Sequence, residues 1–285
     1  MRIGIAIPTY CNSEELRRCL LSIQRHAPSI ANCITVVDDS GDGRVAAELQ
    51  SEFPPVRWTI HESNDGFGAS ANDAVKACEA DIVVLLNDDV QIACDPAAQL
   101  ESVFRDPIVF AATLQSLHAD GTFREGAKRL IWPMGIPRIL HNPQDQKSPQ
   151  DGLHTSDYAV GGHAAYRRDY FLKLNGFDPL FHPFYWEDVD LCIRARKQGY
   201  NTVYLPKCKV IHDGRSSIRS QHDAAYLRTI TLRNRLLFAW RHLPPHLYAF
   251  HQMSLAYHRI SARLLRDSEF TDAYFTARER QRALS

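Results

Sequence analysis

The acids of this chain are its first chemical signal. Ile82-Val-Val-Leu-Leu-Asn-Asp-Asp-Val90 is an apolar, β-branched run that ends abruptly in Asn87, Asp88 and Asp89. Two adjacent carboxylates suit a divalent cation carried in by a phosphorylated substrate, because hard cations want oxygen ligands. The same residues would serve equally as an acidic surface turn. A second pair, Asp38-Asp39, follows the apolar run Cys33–Val37. A carboxylate there could accept the imide N–H of a uracil or thymine ring, or make the Asx turn that Asp-Asp-Ser-Gly sequences favour. Trp186-Glu187-Asp188-Val189-Asp190 opens a helix, where first-turn acids favour the dipole. Beside Tyr185 and Trp186 they also form a constellation for a general base next to an aromatic-lined pocket. His212 closes a strand, as a metal ligand or as a surface histidine.

Other stretches offer weaker chemistry. Asn64-Asp-Gly-Phe-Gly68, running on to Asn72, puts small residues where backbone amides meet a helix amino terminus. That geometry favours anions, but the spacing is neither that of a P-loop nor of the dinucleotide fingerprint. A plain left-handed turn explains it as well. Arg228, Arg233, Arg235 and Arg241 decorate a helix containing Leu232, Leu236, Leu237 and Trp240. They read as a solvated face, or as contacts to diphosphate or anionic lipid.

These residues need elements to hold them. A short apolar run such as Ile82–Leu86 reads as a central strand of a parallel sheet, buried on both faces. Ile3–Ile7, Cys33–Val37 and Val56–His61 read as companion strands, alternating with helices over Ser13–Arg25, Val45–Phe53 and Ala69–Cys78. Strand–helix alternation marks βαβ units. In such a sheet Pro8-Thr9-Tyr10, Asp38-Asp39 and Asp88-Asp89 all face one crevice, beyond the carboxyl ends of the strands. Further on, a helix is expected over Pro96–Phe104 and a strand over Ile108–Ala112, with a hairpin turn at Asp120-Gly121. Helices follow over Asp169–Leu174 and Glu187–Gln198, and short strands over Val203–Leu205 and Lys209–Ile211. The proline-bearing stretch Gly126–Thr155 shows no clean period and reads as a long loop, of the kind that serves as a lid or is disordered. From Gln221 the pattern is helical, broken at Pro244-Pro245.

Composition sets bounds. The 285 residues are 45% hydrophobic and 23% charged, which suits a sizeable globular core. Lysine plus arginine balances aspartate plus glutamate at 33 each, so no bulk charge points to nucleic acid. Seven scattered cysteines without any Cys-x-x-Cys imply reduced thiols in a cytoplasmic protein. No window reaches a membrane span. At most, peripheral association with the inner face of the cell membrane is expected.

In order, Ile5-Ala-Ile-Pro-Thr-Tyr10, Val36-Val-Asp-Asp-Ser40, Asn64-x-Gly-Phe-Gly-x-x-x-Asn72 and Leu86-Asn-Asp-Asp89 resemble the nucleotide-sugar domain of family-two glycosyltransferases. Gly161-Gly-His-Ala-Ala-Tyr-Arg-Arg168, Asn175-Gly-Phe-Asp178, Glu187-Asp-Val-Asp-Leu-Cys-Ile-Arg194 and Val210-Ile-His212 continue the pattern, which resembles most the bacterial rhamnosyltransferase-like branch. The resemblance implies a GT-A fold: a Rossmann-like, mostly parallel sheet over residues 1–220 with a helical extension over 221–285. The first part, 1–112, would bind nucleotide sugar, and 113–220 would hold acceptor and catalytic groups. It further implies an inverting transfer dependent on Mn²⁺ or Mg²⁺, from a nucleoside-diphosphate-sugar donor to a glycan or lipid-linked saccharide.

By the same resemblance Asp39 contacts the base, Asp88 lies near the ribose, and Asp89 with His212 holds the metal. Asp188 is the general base and Glu187 its partner. Pro8, Thr9, Tyr10, Asp38, Asn64, Gly66, Gly68, Asn72, Asn87 and Arg233 complete the donor side; Gly161, Gly162, His163 and Trp186 complete the acceptor side. Asn87 stands where many relatives carry an acid. The Gln-x-x-Arg-Trp signature of processive synthases is absent, so addition of one or a few sugars is expected. The C-terminal helices would hold acceptor, pair two subunits or rest on a membrane. Rival readings are a degenerate sugar-nucleotide-binding or scaffolding protein and a sugar nucleotidyltransferase. The latter would carry a basic Gly-rich loop after the first strand, which Thr9-Tyr-Cys-Asn-Ser13 lacks.

Overall fold

The β-branched runs become strands, and helices alternate with them. The computed structural model describes residues 1–141, 154–212 and 222–283. It opens with β1 (Ile3–Thr9), α1 (Ser13–His26), β2 (Ile34–Asp38), α2 (Arg44–Leu49), β3 (Val56–Ile60), α3 (Phe67–Ala77) and β4 (Ile82–Leu86). Then come β5 (Val90–Ile92), α4 (Ala97–Val103), β6 (Val109–Leu117), β7 (Phe123–Glu125), β8 (Lys128–Ile131), β9 (Arg138–His141), β10 (His154–Thr155), β11 (His163–Arg167), α5 (Arg168–Lys173), α6 (Glu187–Lys197) and β12 (Asn201–His212). Helices α7 (Ala224–His242), α8 (Tyr248–Leu265) and α9 (Ser268–Ala283) follow.

The main sheet runs β10-β12-β6-β11-β4-β1-β2-β3, with β5 on β12 and β7 on β6. Its long strands share one direction: β1 is parallel to β2 and β4, β2 to β3, and β6 to β12. Strand β11 runs against them, between β4 and β6. The carboxyl ends of β1, β2, β4, β6 and β12 therefore meet the amino end of β11 along one edge of the sheet. That edge is where open α/β sheets bind ligands.

Side chains alternate across the sheet and split the core into two layers. Ile3, Ile5 and Ile7 face α1, α2 and α4, with Leu16, Leu20, Leu49 and Leu100. Ala6, Val37, Val83 and Leu85 face the other way, toward Ala71, Phe171, Leu191 and Phe238. Leu236 and Leu237 of α7, Leu255 of α8 and Tyr274 of α9 join this second layer. The C-terminal helices thus share the core of the sheet.

Three features depart from the sequence expectation. Residues 128–141 are not a plain loop: β8 and β9 form a separate hairpin, Lys128 pairing with His141 and Ile131 with Arg138. Its strands are short and flank prolines, which hides their alternation. The rest of the expected lid, residues 142–153, lies outside the described residues. Second, Asn201–His212 is one strand with a register shift between Leu205 and Lys209, where Pro206 cannot donate to the ladder. Third, β11 reads His-Ala-Ala-Tyr-Arg, in which Tyr166 alone carries strand signal.

Candidate active site

Strand alternation decides what each acid does. Asp38 lies on the Val36 side of β2 and turns toward α2, where Oδ1 accepts from Ser40 N (3.0 Å) and Oδ2 from Ala46 N (2.9 Å). It is fully buried and caps the start of α2, away from the cavity described below. Asp39 turns the other way. Its Oδ1 accepts from Asp65 N (3.0 Å) and pairs with His61 Nδ1 (2.8 Å), and Oδ2 accepts from Gly66 N (3.0 Å). Two amides expected to cradle an anion ahead of α3 are therefore already taken by Asp39. Burial opposes a charge on His61, but Asp39, with Asp65 and Asp73, outweighs it and raises the imidazole above its ordinary value.

A cavity of about 430 Å³ opens along the carboxyl edge of the sheet. Pro8, Thr9 and Tyr10 floor one end with Asp39, Asn64 and Gly66, and Asn87, Asp88 and Asp89 floor the middle. Gly66 has φ +84°, and a Cβ there would stand 2.9 Å from the His182 ring. Arg233 of α7 and Arg280 of α9 close the far wall with Tyr226 and His222. Burial lowers Arg233 to about 10, which leaves it cationic at neutral pH. Gly68 and Asn72 lie outside this cavity; both carboxamide atoms of Asn72 bond the backbone of Phe177 at 2.8 Å.

The β4 acids are treated differently from those of β2. Asp88 accepts from Thr9 Oγ1 (2.8 Å) and Asn12 Nδ2 (3.3 Å), and burial, then the charge of Asp89, pushes its carboxyl up to about 7. Neither carboxylate oxygen of Asp89 has a hydrogen-bond partner among the described residues, although the side chain is only 3% exposed. His212 Nε2 lies 3.3 Å from Asp89 Oδ2, and both ring nitrogens of His212 also lack a hydrogen-bond partner there. Buried groups left so are costly in an apoprotein. A divalent cation between Asp89 and His212 would satisfy both, so these residues fit a Mn²⁺-type ion, with oxygen and imidazole donors.

The residues expected on the acceptor side lie just before and at the start of β11 and at the start of α6. Asp188 is partly exposed; Oδ2 accepts from Gly161 N (3.0 Å) and Oδ1 from Val189 N (2.8 Å). Burial pushes its carboxyl up to about 6 against the pull of those amides. Glu187 is buried with Oε2 unpartnered among the described residues, and burial plus the Asp188 charge hold it well above the ordinary carboxylate range. Tyr185 and Trp186 precede them with φ of 74° and 77°, a strained pair of non-glycine residues. Asn234 of α7 holds that turn: its amide donates to the carbonyls of Phe181 (2.6 Å), Phe184 (2.8 Å) and Tyr185 (2.9 Å). Asp190, the third acid, is structural, bound by Arg194 Nε and His242 Nε2 at 2.7 Å each. Gly162 lies against Asn87, whose amide nitrogen would be 2.7 Å from any Cβ. His163 is fully buried at the amino end of β11, not at an acceptor surface, and burial pushes its imidazole down to about 4.

Sequence reasoning missed His61, His182, Tyr226, Asn234 and Arg280. Only the position of His61, at the end of a strand beside those bearing the acids, could have flagged one of them. Arg228, Arg235 and Arg241 serve structure: they bond Asp267, the Pro137 carbonyl and Asp178 respectively.

The fold, the acids along its carboxyl edge and the acids that open α6 point to one class of protein, a glycosyltransferase. The family model for glycosyltransferase like family 2 matches residues 2–240, and the chain belongs to this family. It is 27% identical over 256 residues to the N-acetylglucosaminyl-diphospho-decaprenol L-rhamnosyltransferase of Mycobacterium tuberculosis, covering 79% of this chain and 83% of that protein. It is 26% identical over 208 residues to the rhamnosyltransferase WbbL of Escherichia coli, covering 67% and 76%. Among solved structures it is similar to a mannosyltransferase from Pyrobaculum calidifontis in complex with GDP-Man and Mn²⁺ (TM-score 0.58, 15% identity, 100% of this chain and 76% of that one). It is also similar to GalNAc-T7 with UDP, GalNAc and Mn²⁺ (TM-score 0.63, 14% identity, 84% of this chain and 47% of that one). These neighbours establish a GT-A fold. The chain is a glycosyltransferase of the family-two type resembling the rhamnosyltransferase branch.

Proposed function

We propose that this chain transfers a deoxyhexosyl or hexosyl unit, with inversion, from a uridine or thymidine diphosphate sugar to a hydroxyl of a lipid-linked or glycan acceptor. The observation that carries the reading is Asp89, buried with both oxygens unpartnered among the described residues, in the floor of a cavity walled by two arginines. Asp39 accepts one donor on Oδ2 and two on Oδ1, so Oδ2 retains capacity for the imide N–H of a pyrimidine base. Arg233 and Arg280 favour the diphosphate by charge. Asp89 and His212 would hold Mn²⁺ or Mg²⁺, which when bound neutralises charge on the leaving diphosphate.

Asp188 takes the proton of the acceptor hydroxyl as that oxygen attacks the anomeric carbon. A carboxyl held near 6 is mostly ionised at neutral pH yet basic enough to accept a proton. The Gly161 and Val189 amides fix its orientation. No covalent sugar–enzyme intermediate is needed, and the single displacement inverts the anomeric centre.

A lipid-linked acceptor is supported by the Mycobacterium relative, a rhamnosyltransferase of a diphospho-decaprenol-linked sugar. On α8, Phe250, Met253, Tyr257, Ile260 and Leu264 are exposed at helical spacing, with Arg259 and Arg263 on the same helix and no acid between Tyr248 and Leu265. Such a face suits peripheral contact with an anionic membrane surface. Among the described residues no helix is long and apolar enough to cross a membrane.

The test is nucleoside diphosphate release from a panel of nucleotide sugars, with and without Mn²⁺ and with a polyprenyl-diphosphate saccharide as acceptor. Donor-specific, acceptor-stimulated release is expected, yielding product of inverted anomeric configuration. Binding without turnover across the panel would instead support a scaffolding protein.

A further inference from the structure

Beyond Asp89 and His212, a second set of polar groups converges on the same place from strands far apart in sequence. Glu125 ends β7, His163 begins β11 and His212 ends β12, and one ligand atom from each lies within 4.8 Å of the other two. Glu125 Oε1 is 4.0 Å from His163 Nε2, and the two imidazole rings meet edge to face with centroids 6.1 Å apart. His163 is 0% exposed, and neither of its ring nitrogens has a hydrogen-bond partner among the described residues. Ser116, which pairs with Glu125 across β6 and β7, also has a buried hydroxyl without one. An imidazole buried with both nitrogens unmatched costs roughly 1–3 kcal/mol for each group left unsatisfied. Nothing described in the protein meets that cost.

The surrounding residues hold the cluster in place. Lys128 Nζ donates to Glu125 Oε2 at 2.6 Å and leaves Oε1 facing His163. Arg124 donates to the His212 carbonyl and fixes the end of β12. Asp89 Oδ2 reaches His212 Nε2 at 3.3 Å, so the cluster adjoins the acid at the cavity floor. In a four- or six-coordinate shell with bonds near 2.0–2.2 Å, ligand atoms stand roughly 3–3.5 Å apart. The closure required is about an ångström, within the reach of side-chain rotation.

We propose that His163 and Glu125 join His212 and Asp89 in one mixed imidazole–carboxylate metal site that selects a first-row transition ion over Mg²⁺. The inference rests on the reading of Asp89 and His212 as metal ligands and extends it to residues from two further strands. Two imidazoles beside two carboxylates suit Mn²⁺, Co²⁺ or Zn²⁺, whereas Mg²⁺ takes oxygen ligands and keeps its water. His163 then acts as a ligand that sets which metal the enzyme uses.

The experiment titrates Mn²⁺ into the metal-stripped full chain and counts histidine nitrogens on the bound ion by pulsed electron paramagnetic resonance. Two ¹⁴N couplings are expected in the wild type, and one in His163→Ala, with affinity at least tenfold weaker. Glu125→Gln weakens affinity without changing the nitrogen count. A hundredfold excess of Mg²⁺ leaves most of the Mn²⁺ in place. One coupling in the wild type, with affinity unchanged in His163→Ala but lost in Asp89→Asn, overturns this inference and leaves the proposed function standing. No Mn²⁺ binding by the wild type, with or without nucleotide sugar, overturns both. Should His163→Ala fail to fold by circular dichroism, the wild-type nitrogen count decides alone.

Discussion

Asp38 and Asp39 end one parallel strand, and Asp88 and Asp89 follow another. The two pairs have the same composition and lie on the same edge of one sheet. Yet Asp38 takes two backbone N–H groups, and Asp39 takes two backbone N–H groups and a histidine. Asp88 takes side-chain donors from Thr9 and Asn12, and Asp89 has no hydrogen-bond donor among the described residues. Those donors tie the first pair into the surrounding backbone, and such hydrogen bonds contribute to folding. Asp89 is left for a ligand to satisfy, and a buried carboxylate without partners costs stability until one arrives. On the proposed function, Asp38 builds the site and Asp89 performs in it.

Exchanging a charge for an amide at each pair should give crossed outcomes. Asp89→Asn is expected to lower donor turnover by roughly 10³–10⁴, the several kcal/mol that metal stabilisation of a leaving group supplies. Its metal-free Tm should hold or rise, because an unmatched buried charge is gone. Asp38→Asn should do the reverse, losing about 2 kcal/mol in denaturant unfolding as one charged acceptor of two amides disappears, with turnover per folded molecule within a few-fold of wild type. Nucleoside diphosphate release and urea melts measure both. Equal losses of activity in the two variants would erase the distinction.

On the proposed function Asp188 belongs with the working acids, although backbone amides hold it too. Asp188→Asn should lower kcat by roughly 10²–10³, within the range of general-base catalysis, with little change in donor KM. The base must be ionised, so wild-type kcat should rise with pH through about 6 and then level. In the variant that limb should vanish. A limb that persists would assign it to another group, of which Glu187 is the nearest.

The parts of this site legible in the sequence are those where one local run announces its own end. Ile82–Leu86 is fully buried on both faces as its composition requires, and the acids after it fall at the carboxyl edge. Adjacent acids could not be told apart, because Asp38 and Asp39 leave the strand on opposite faces and only the packed helices reveal their partners. Groups brought together by strand order were beyond reach. Glu125, His163 and His212 are neighbours because β11 enters the sheet between β4 and β6, and β12 lies beyond β6. Asn234 and Arg280 reach the 180–186 turn from helices whose pattern showed only an apolar face and a charged one.

Asp88 allows a finer comparison, through linkage. Its folded carboxyl titrates near 7, above the ordinary value of 3.8. Between those pH values the unfolded chain has released its proton and the folded chain keeps it, so the Asp88 contribution to stability falls as pH rises and is flat above the window. Asp88→Asn does not titrate. Its unfolding free energy relative to wild type should therefore grow by about 3 kcal/mol from pH 4 to pH 7 and level off above about pH 8. A gap that stays constant across that range would mean Asp88 is satisfied as fully as Asp38.

Asn87→Asp should produce the smallest effect, and it tests whether the unsatisfied half of the site can take more charge. The Asn87 carboxamide oxygen is buried and unpartnered among the described residues, while its backbone N–H is fixed by Gly162 at 2.9 Å. An acid there would add a third consecutive carboxylate. Without metal, like-charge repulsion at Asp88 should cost about 1 kcal/mol. With Mn²⁺ the same charge becomes attractive, and affinity should tighten by up to about tenfold. Metal-free and metal-loaded Tm should then move in opposite directions, a signature that simple loss of packing against Gly162 cannot imitate. If both fall together, the oxygen at 87 faces Gly162 and not the ion, and the unsatisfied region ends at Asp89.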